Sequence, residues 1–405
     1  MPQIKPEVEA FARIKVIGVG GSGKNAVNHM INQKVKGVEF IAVNTDAQDL
    51  HHSLAPKKIH IGKNVTRGLG TGMNPEMGRR AAEETKEEIQ EAIKGADMVF
   101  IAGGTGGGTC SGAGPVVAKI AKEMGILTVC VATKPFFFEG IQRGKISEQA
   151  LEEFQKSVDA MIVIPNDRLL STVTRETTAK SAFAMCDDIL KSAVEGISDL
   201  ITQPGTINID FADIKAILAN GGSALMGIGL AAGENRAVEA SKAAINSPLL
   251  ELSVAGAKGV LFSISGGDDI TMWEIQEAAK VITESIDQNA KVIFGTVYDD
   301  RLKKNEIKIT VIASGFSEET NRKSLFQTIS QTALGVRTEK ETEAETRSIF
   351  NSITVPKKDL EEKTDKVVTK TTPAIEKVAP TIKNELIDDD SDWGAVPAFL
   401  RRQKK

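Results

Sequence analysis

The chain has 405 residues, 41% of them hydrophobic, and carries 54 acidic and 50 basic side chains for a formal net charge of −4. This length predicts two or three domains with at least one large core, and the slight acidic excess and 4% aromatic content argue against a nucleic-acid binder. With three cysteines, four histidines outside any metal-ligand spacing and no apolar stretch of ~20 residues, the composition excludes a disulfide scaffold, a familiar side-chain metal site and a membrane span. We therefore predict a soluble cytoplasmic protein.

From about residue 13 to residue 202, short apolar runs alternate with amphipathic helical stretches. The runs are nearly continuous in apolar residues, as expected of parallel strands that are covered on both faces. Asn74 before Pro75 is typical of a helix N-cap followed by proline at the first helical position. The alternation predicts a doubly wound α/β domain. The predicted strands are Ile14–Val19, Val38–Val43, Met98–Ala102, Ile126–Ala132 and Ala160–Pro165, and the predicted helices are Pro75–Lys94 and Pro115–Met124.

A long helix is predicted from Ala179 to Ile201, ending at Gln203-Pro204-Gly205. Beyond it, a second and smaller α/β unit is predicted. Its strands are Ser223–Ala232, Gly259–Ser265, Lys291–Val297 and Ile307–Ala313, and its helices are Glu234–Ile245 and Trp273–Glu284.

After Gly315 the composition changes to mixed charges with many Thr, Lys and Glu residues. Such a segment buries too little apolar area to offset its ordering entropy, so we predict a flexible linker. The chain then ends in an apolar cluster with a basic tip, from Trp393 to Lys405. This pattern is typical of a short peptide that binds a partner's groove, the alternative being a tail with chance hydrophobic residues.

A first glycine-rich loop, Gly18 to Asn25, follows the first strand and opens a helix. Glycines let the backbone approach a phosphate, and the helix N-terminus supplies unpaired N–H groups. Two motifs overlap here. One is the dinucleotide fingerprint GxGxxG, with Asp46 as the ribose-binding acid, and the other is a P-loop that has Asn25 where Ser or Thr is needed. A turn that binds nothing is the third reading.

A second glycine-rich loop, Ala102 to Gly114, also lies between a strand and a helix, and we expect Pro115 in the first turn of that helix. A dinucleotide-binding dehydrogenase does not need this second loop. Two phosphate-binding loops at the same strand ends predict one nucleotide whose phosphates are held from both sides.

These motifs together resemble the FtsZ family, the bacterial tubulin-like GTPases of cell division. The family's signature loop GGGTGTG reads Gly106 to Gly112 here, with Cys110 in place of a glycine and Ser111 in place of a threonine. Thr105 and Gly114 replace the usual Met and Ala. The other matching segments are 43–48, 68–75, 133–140, 208–213 and the tail 396–401.

The resemblance implies a tubulin/FtsZ-like α/β fold that binds GTP and GDP, with Mg²⁺ held mainly by the nucleotide phosphates. It assigns Glu139 and Arg143 to the ribose region, and Phe183 and Asp187 to the guanine. A carboxylate only accepts hydrogen bonds, so Asp187 matches the paired donors of guanine and not adenine. The implied phosphate-binding residues are Gly20, Gly21, Ser22, Gly23, Lys24, Asn25, Gly104, Gly106, Gly107, Gly108, Thr109 and Cys110.

Asn208, Asp210 and Asp213 are the implied catalytic residues, acting on the nucleotide of the next subunit in a head-to-tail filament. Asp210 and Asp213 are three residues apart at a predicted helix start, so simple capping is the alternative. Two other functions remain open. One is a nicotinamide-dependent dehydrogenase, and the other is a filament protein that binds nucleotide without hydrolysing it.

The resemblance also implies a domain layout and partners. The implied location is the mid-cell division site, where membrane-anchoring and regulatory proteins bind Val396–Arg402, and neither nucleic acid nor a membrane span is involved. The implied segments are an N-terminal extension 1–12, a GTP-binding domain 13–178, a connecting helix 179–202, a second α/β domain 203–315, a linker 316–392 and a partner-binding peptide 393–405.

Overall fold

The computed structural model describes residues 12–170, 176–203, 205–247, 250, 254, 256–299 and 301–316, so the predicted linker and C-terminal peptide lie outside the described residues. The strands are β1 (Ile14–Val19), β2 (Val38–Asn44), β3 (Lys57–His60), β4 (Met98–Gly104), β5 (Leu127–Lys134), β6 (Ala160–Pro165), β7 (Gly222–Ala232), β8 (Gly259–Gly266), β9 (Lys291–Tyr298) and β10 (Glu306–Ser314).

The helices are α1 (Gly20–Asn32), α2 (Ala47–His51), α3 (Lys63–Thr66), α4 (Pro75–Glu84), α5 (Lys86–Ile93), α6 (Gly108–Glu123), α7 (Ile141–Ser157), α8 (Asn166–Leu169), α9 (Ala179–Thr202), α10 (Phe211–Leu218), α11 (Arg236–Ile245) and α12 (Met272–Glu284). A short 3-10 turn spans Phe137–Glu139. Among these helices, none is both long and apolar enough to cross a membrane.

The strands form one sheet in the order β3-β2-β1-β4-β5-β6-β7-β10-β8-β9. Strands β1 to β6 are mutually parallel, and β7 joins β6 in parallel through a short register that begins at Ala160 and Gly222. Strand β10 is antiparallel to both β7 and β8, and β9 is parallel to β8 at the far edge. Both glycine loops therefore follow parallel strands and open at the same, carboxyl edge of the sheet.

Both faces of the parallel half are covered, which explains its continuous apolar runs. In β1, Ile14 and Val16 belong to one core with α1, α9 and α10, whereas Ile17 and Val19 belong to the core on the opposite face with α4 to α7. A third core packs α11 and α12 against the second half of the sheet. The prediction of a doubly wound α/β domain joined by a long helix to a second α/β unit is confirmed.

Two predicted helices differ from those in the structure. The predicted helix Pro75–Lys94 is broken at Thr85, whose hydroxyl accepts the Gly62 N–H at 3.1 Å while donating to Ala81 O. Helix α6 begins at Gly108 and not at Pro115, so the expectation of Pro115 in the first turn is wrong. The glycines before Pro115 are helical because α4 crosses α6 closely. A Cβ on Gly112 would lie 1.9 Å from Pro75 O.

Candidate GTPase site

The first glycine loop is the tight junction between β1 and α1. A Cβ on Gly18 would lie 2.3 Å from Gly23 O, and Gly20 has φ +74°, so side chains are disfavoured at both positions. Because α1 begins at Gly20, the amide N–H groups of Gly20, Gly21 and Ser22 have no helical acceptor and can face an anion.

The second glycine loop runs from the end of β4 into the first turns of α6, and Gly107 is the N-cap of that helix. The amide N–H groups of Gly107 to Cys110 lie at the helix N-terminus, where the helix supplies no acceptors. The two loops touch, since Gly104 N–H donates to Ser22 Oγ at 2.7 Å. Gly106, with φ +97°, donates its N–H to Ser111 Oγ. Two helix N-termini therefore converge on one place, as the sequence predicted.

Lys24 and Asn25 differ from the other predicted phosphate-binding residues. They lie in the second turn of α1, where amide N–H groups bond to carbonyls of the helix. The Lys24 ammonium is buried and donates to Asp49 Oδ1 at 2.6 Å, and Asn44 donates to the other oxygen of Asp49. Asp46 caps α2 by accepting the Asp49 N–H. Lys24 and Asp46 thus each already have a partner within the chain.

Glu139 and Arg143 lie beside the second glycine loop. They form a 2.5 Å ion pair, and Glu139 also accepts the Phe136 N–H. The Arg143 backbone packs closely against Gly106, since a Cβ on Gly106 would lie 3.0 Å from Arg143 O. Phe136 also makes an edge-to-face contact with Phe183 of α9 at 5.4 Å. The predicted ribose and base residues thus adjoin the phosphate loops.

Asp187 lies one turn beyond Phe183 on α9. Burial raises the pKa of Asp187 to about 6, a net value that includes the opposing effect of His29 of α1 and a smaller rise from the adjacent Asp188. Asp188 accepts a hydrogen bond from His29 Nε2 at 2.8 Å, which ties α9 to the phosphate-loop helix. Phe183 is half exposed, so an aromatic face and a carboxylate acceptor stand together at the site.

Cys110 is the departure from the family's glycine, and its side chain is buried in the core. Burial raises the pKa of its thiol to about 12, so the thiol stays protonated. Its φ is not positive, and its backbone therefore adopts a helical conformation without strain. The side chain fills the space beside Gly103, where a Cβ would lie 2.6 Å from Cys110 Sγ.

Asn208, Asp210 and Asp213 lie at the opposite edge of the sheet. The segment that carries them follows Thr202, which packs against Gly37 just before β2, and leads to Gly222, whose N–H donates to Asp159 O just before β6. Both points are amino ends of parallel strands. All three side chains are exposed, and Asp210 caps α10 by accepting the Ala212 N–H at 3.1 Å.

The structure shows a chain of three threonine hydroxyls, centred on Thr109 in the first turn of α6, that the sequence did not predict. Thr109 Oγ1 lies 2.8 Å from Thr45 Oγ1 and 3.3 Å from Thr71 Oγ1. Thr71 belongs to a loop with positive φ at Arg67, Gly68, Gly70, Gly72 and Met73. The glycine run in that loop was the only signal for a special backbone, and nothing in it indicated contact with Thr109.

Comparison with known proteins decides the family. Residues 13–174 match the model of the Tubulin/FtsZ family GTPase domain, and residues 222–317 match that of the FtsZ family C-terminal domain. An FtsZ dimer structure from M. jannaschii is 44% identical, with a TM-score of 0.73 over 76% of this chain and 89% of that chain. The chain belongs to the FtsZ family.

It is therefore a tubulin-like GTPase, and the family implies a polymerising protein of cell division. Two Haloferax volcanii structures, a GDP-bound CetZ1 monomer and a GTPγS-bound CetZ2 protofilament, share the fold. Their identities are 23% and 21%, with TM-scores of 0.66 and 0.64, and they align with 79% and 78% of this chain and 99% and 100% of theirs.

In the part of the chain that the structure describes, no group of three His, Cys, Asp or Glu side chains could hold a metal ion. A separate cleft of about 830 Å³ lies between α4, α6 and α7. It follows the side of α6 and not its N-terminus, and charged side chains such as Arg79, Glu83 and Lys119 line it, so we do not assign the nucleotide to it.

Proposed function

We propose that this chain hydrolyses GTP at a site that two subunits of a head-to-tail filament complete together. The observation that supports this proposal is the position of the proposed catalytic residues. Asp210 and Asp213 are exposed at the amino edge of the sheet, and the glycine loops open at the carboxyl edge. The 24 residues of α9 connect the two edges and span about 36 Å. Within one subunit these carboxylates cannot reach the nucleotide, but stacked subunits bring the two edges together.

Nucleotide binding follows from the chemistry of each side of the site. The amide groups at the N-termini of α1 and α6 donate to the phosphates, and both helix dipoles favour the negative charge. Glu139 and Arg143 contact the ribose region. The ionised Asp187 accepts from the N1–H and exocyclic amine of guanine, and Phe183 packs on the ring. Adenine offers no such donor pair, so GTP is selected over ATP.

Hydrolysis requires a positioned water at the γ-phosphate. We assign this role to the Asp210 and Asp213 carboxylates of the adjacent subunit, with Asn208 beside them. They orient the water and accept its proton as it attacks, which is the usual demand on a phosphoryl-transfer site. When Mg²⁺ is bound, held mainly by the phosphates, it offsets the negative charge of the phosphate oxygens. Because the groups belong to two subunits, hydrolysis depends on assembly.

The test combines protein concentration with one substitution. Activity per subunit should rise steeply through the assembly threshold. Asp213→Asn should bind GTP as tightly as wild type and still form filaments, but it should hydrolyse GTP ~10²-fold more slowly, because a positioned catalytic group is lost. Phosphate release and pelleting measure both quantities. Activity per subunit that is independent of concentration across the threshold would exclude a site between subunits.

We further propose that the filament acts as the scaffold of the cytoplasmic division ring. The sequence support is the segment Val396–Arg402, an apolar cluster with basic residues at the end of a charged, Gly-poor stretch. An apolar groove on a membrane-anchoring or regulatory division protein is the partner that fits this chemistry.

A further inference from the structure

The segment that carries the proposed catalytic carboxylates lies along the side of β9 that does not pair with β8. This strand is at the end of the sheet, and β8 pairs with it on one side only. On the other side, Ile207 and Thr296 exchange two hydrogen bonds. Ile207 N–H donates to Thr296 Oγ1 at 2.9 Å, and Thr296 N–H donates to Ile207 O at 3.0 Å. One threonine thus binds both backbone groups of one loop residue.

Two glycines let the loop lie flush against the strand. A Cβ on Gly205 would lie 1.7 Å from Thr296 O, and a Cβ on Gly295 would lie 2.9 Å from the Ile209 side chain. Gly205 N–H also donates to Asn208 Oδ1 at 2.7 Å, which closes the turn between them. The loop is therefore fixed at residues on both sides of Ile207.

The fixed loop leads directly to the carboxylates. Asp210 follows Ile207 by three residues and caps α10. Beyond Asp213, α10 is anchored by Ile214 and Leu218, which are fully buried. The position of the two carboxylates is thus defined by α10 on one side and by the contact with β9 on the other. In a site that needs placement within a fraction of an ångström, loss of either anchor matters.

We propose that Thr296 is a positioning residue for hydrolysis in the adjacent subunit. Through its hydroxyl, it holds the loop so that Asp210 and Asp213 enter the neighbour's site in the productive geometry. This inference rests on the proposed function, because it requires that the carboxylates act between subunits. Thr296 itself is buried, so it acts through the loop that it holds.

Thr296→Val is the direct test, because valine keeps the size and branching and removes the hydroxyl that accepts the Ile207 N–H. We expect unchanged GTP affinity and filament mass but phosphate release reduced roughly tenfold, a modest fraction of what misplacement can cost. Thr296→Ser, the matched control, keeps the acceptor and should stay near wild-type activity. Gly205→Ala keeps the hydroxyl but displaces the loop, and it should reproduce the loss.

A mixing experiment separates positioning from general damage to the subunit. Thr296→Val subunits keep a complete nucleotide site, and subunits with Asp187→Ala, poor in GTP binding, keep an intact loop. In a random one-to-one copolymer, about a quarter of the head-to-tail interfaces combine both good halves, so the mixture should regain up to that share of wild-type activity. Asp213→Asn mixed with Asp187→Ala is the reference pair.

Each outcome has one interpretation. Recovery in both mixtures supports the positioning role. If the reference pair recovers but Thr296→Val alone is fully active, fails to assemble or is not rescued, the role of Thr296 is wrong and the shared site stands. If the reference pair shows no recovery although the two variants copellet, the shared site itself is wrong, and this inference with it.

Discussion

Asp187 is the residue whose charge bears most directly on base selection. Burial raises the pKa of this carboxyl to about 6, above the ordinary value near 4. Only the ionised form of Asp187 accepts both guanine donors, so protonation of this carboxyl weakens GTP binding. We expect GTP affinity to be constant above about pH 7 and to fall as the pH drops through 6, by roughly tenfold at pH 5.

The measurement is equilibrium binding of GTP to the full chain between pH 5 and 8. Asp187→Asn is the control, because it cannot ionise there and retains only the titration of the nucleotide phosphates. It should also bind GTP more weakly at neutral pH, since an amide leaves one guanine donor unpaired, at a cost of about 1–3 kcal/mol. A wild-type profile parallel to that of Asp187→Asn would show that the guanine contact is elsewhere.

Single residues also show where sequence reasoning reached its limit. Strand–loop–helix order and glycine content sufficed to predict that the two glycine loops lie together at the carboxyl ends of parallel strands, whereas the individual binding residues came from the family resemblance. The partner of Lys24 could not be predicted. Asp49 is 25 residues away, and only the packing of α2 against α1 brings its carboxylate within 2.6 Å.

Among the elements, α6 shows the same limit in its boundary. A run of glycines predicts a loop by local propensity, but the observed helix begins seven residues before Pro115. Close packing against α4 stabilises a helical conformation that the sequence alone disfavours. The sequence also did not indicate β3 or the position of β9 as the outermost strand, because strand order depends on pairing with distant segments.

Helix α9 and the second half of the sheet are joined by a charge cluster whose carboxylates are buried. Glu195 and Asp199 of α9 face Asp299, Arg301 and Lys308. Burial, with help from Glu195 and Asp299 and against the opposing effect of Lys308 and Arg301, raises the pKa of Asp199 to about 7. Burial would also raise the pKa of Asp299, but the hydrogen bonds from Arg301 lower it overall. Asp199, in contrast to Asp299, thus holds a proton near neutrality.

This cluster predicts a pH-dependent stability with a definite sign. Since the folded protein binds the Asp199 proton more tightly than the unfolded chain, its stabilising effect is complete below about pH 4 and is lost as the pH rises to about 7. Over this whole pH range the change in the free energy of unfolding is about 4 kcal/mol at most. Asp199→Asn stays neutral, so its melting temperature relative to wild type should rise by several degrees from pH 5 to pH 8.

Thermal melts of both proteins, with and without GDP, provide the comparison. Taking the difference between variant and wild type removes the contribution of carboxylates outside this cluster. Glu195→Gln is the matched control on the same helix, and it breaks the ion pair with Arg301 at every pH in this range. A difference between Asp199→Asn and wild type that is flat with pH would mean that Asp199 is ionised throughout.

At the scale of the whole molecule, topology separates the two halves of the proposed site. The alternation of strands and helices was sufficient to predict the α/β class and the long α9. The sequence alone did not indicate that α9 carries the chain from one edge of the sheet to the other, because that follows from β7 joining β6 in parallel. This crossing places Asp210 and Asp213 at the amino ends of the parallel strands, away from the glycine loops of the same chain.

The last prediction concerns where the assembling unit ends. Strand β10 ends at Ser314, but Phe316 is still buried in the core of the second unit, so a cut at Gly315 would remove a core side chain. A chain that ends at residue 316 should bind GTP, hydrolyse it and assemble like the full chain. Binding to a membrane-anchoring partner should instead require the terminal peptide, with Phe399 and Leu400 in an apolar groove and Arg401 adding salt-sensitive attraction.

Phe399→Ala tests this division in the full chain. Removal of the aromatic anchor should abolish recruitment to the division site while GTP hydrolysis and pelleting stay unchanged, because anchors of this kind carry most of a small interface's binding energy. Gln403→Ala, four residues on, is the matched control and should be recruited normally. If the chain ending at residue 316 loses assembly in solution, the residues beyond 316 belong to the filament machinery, and the tail does more than attach it.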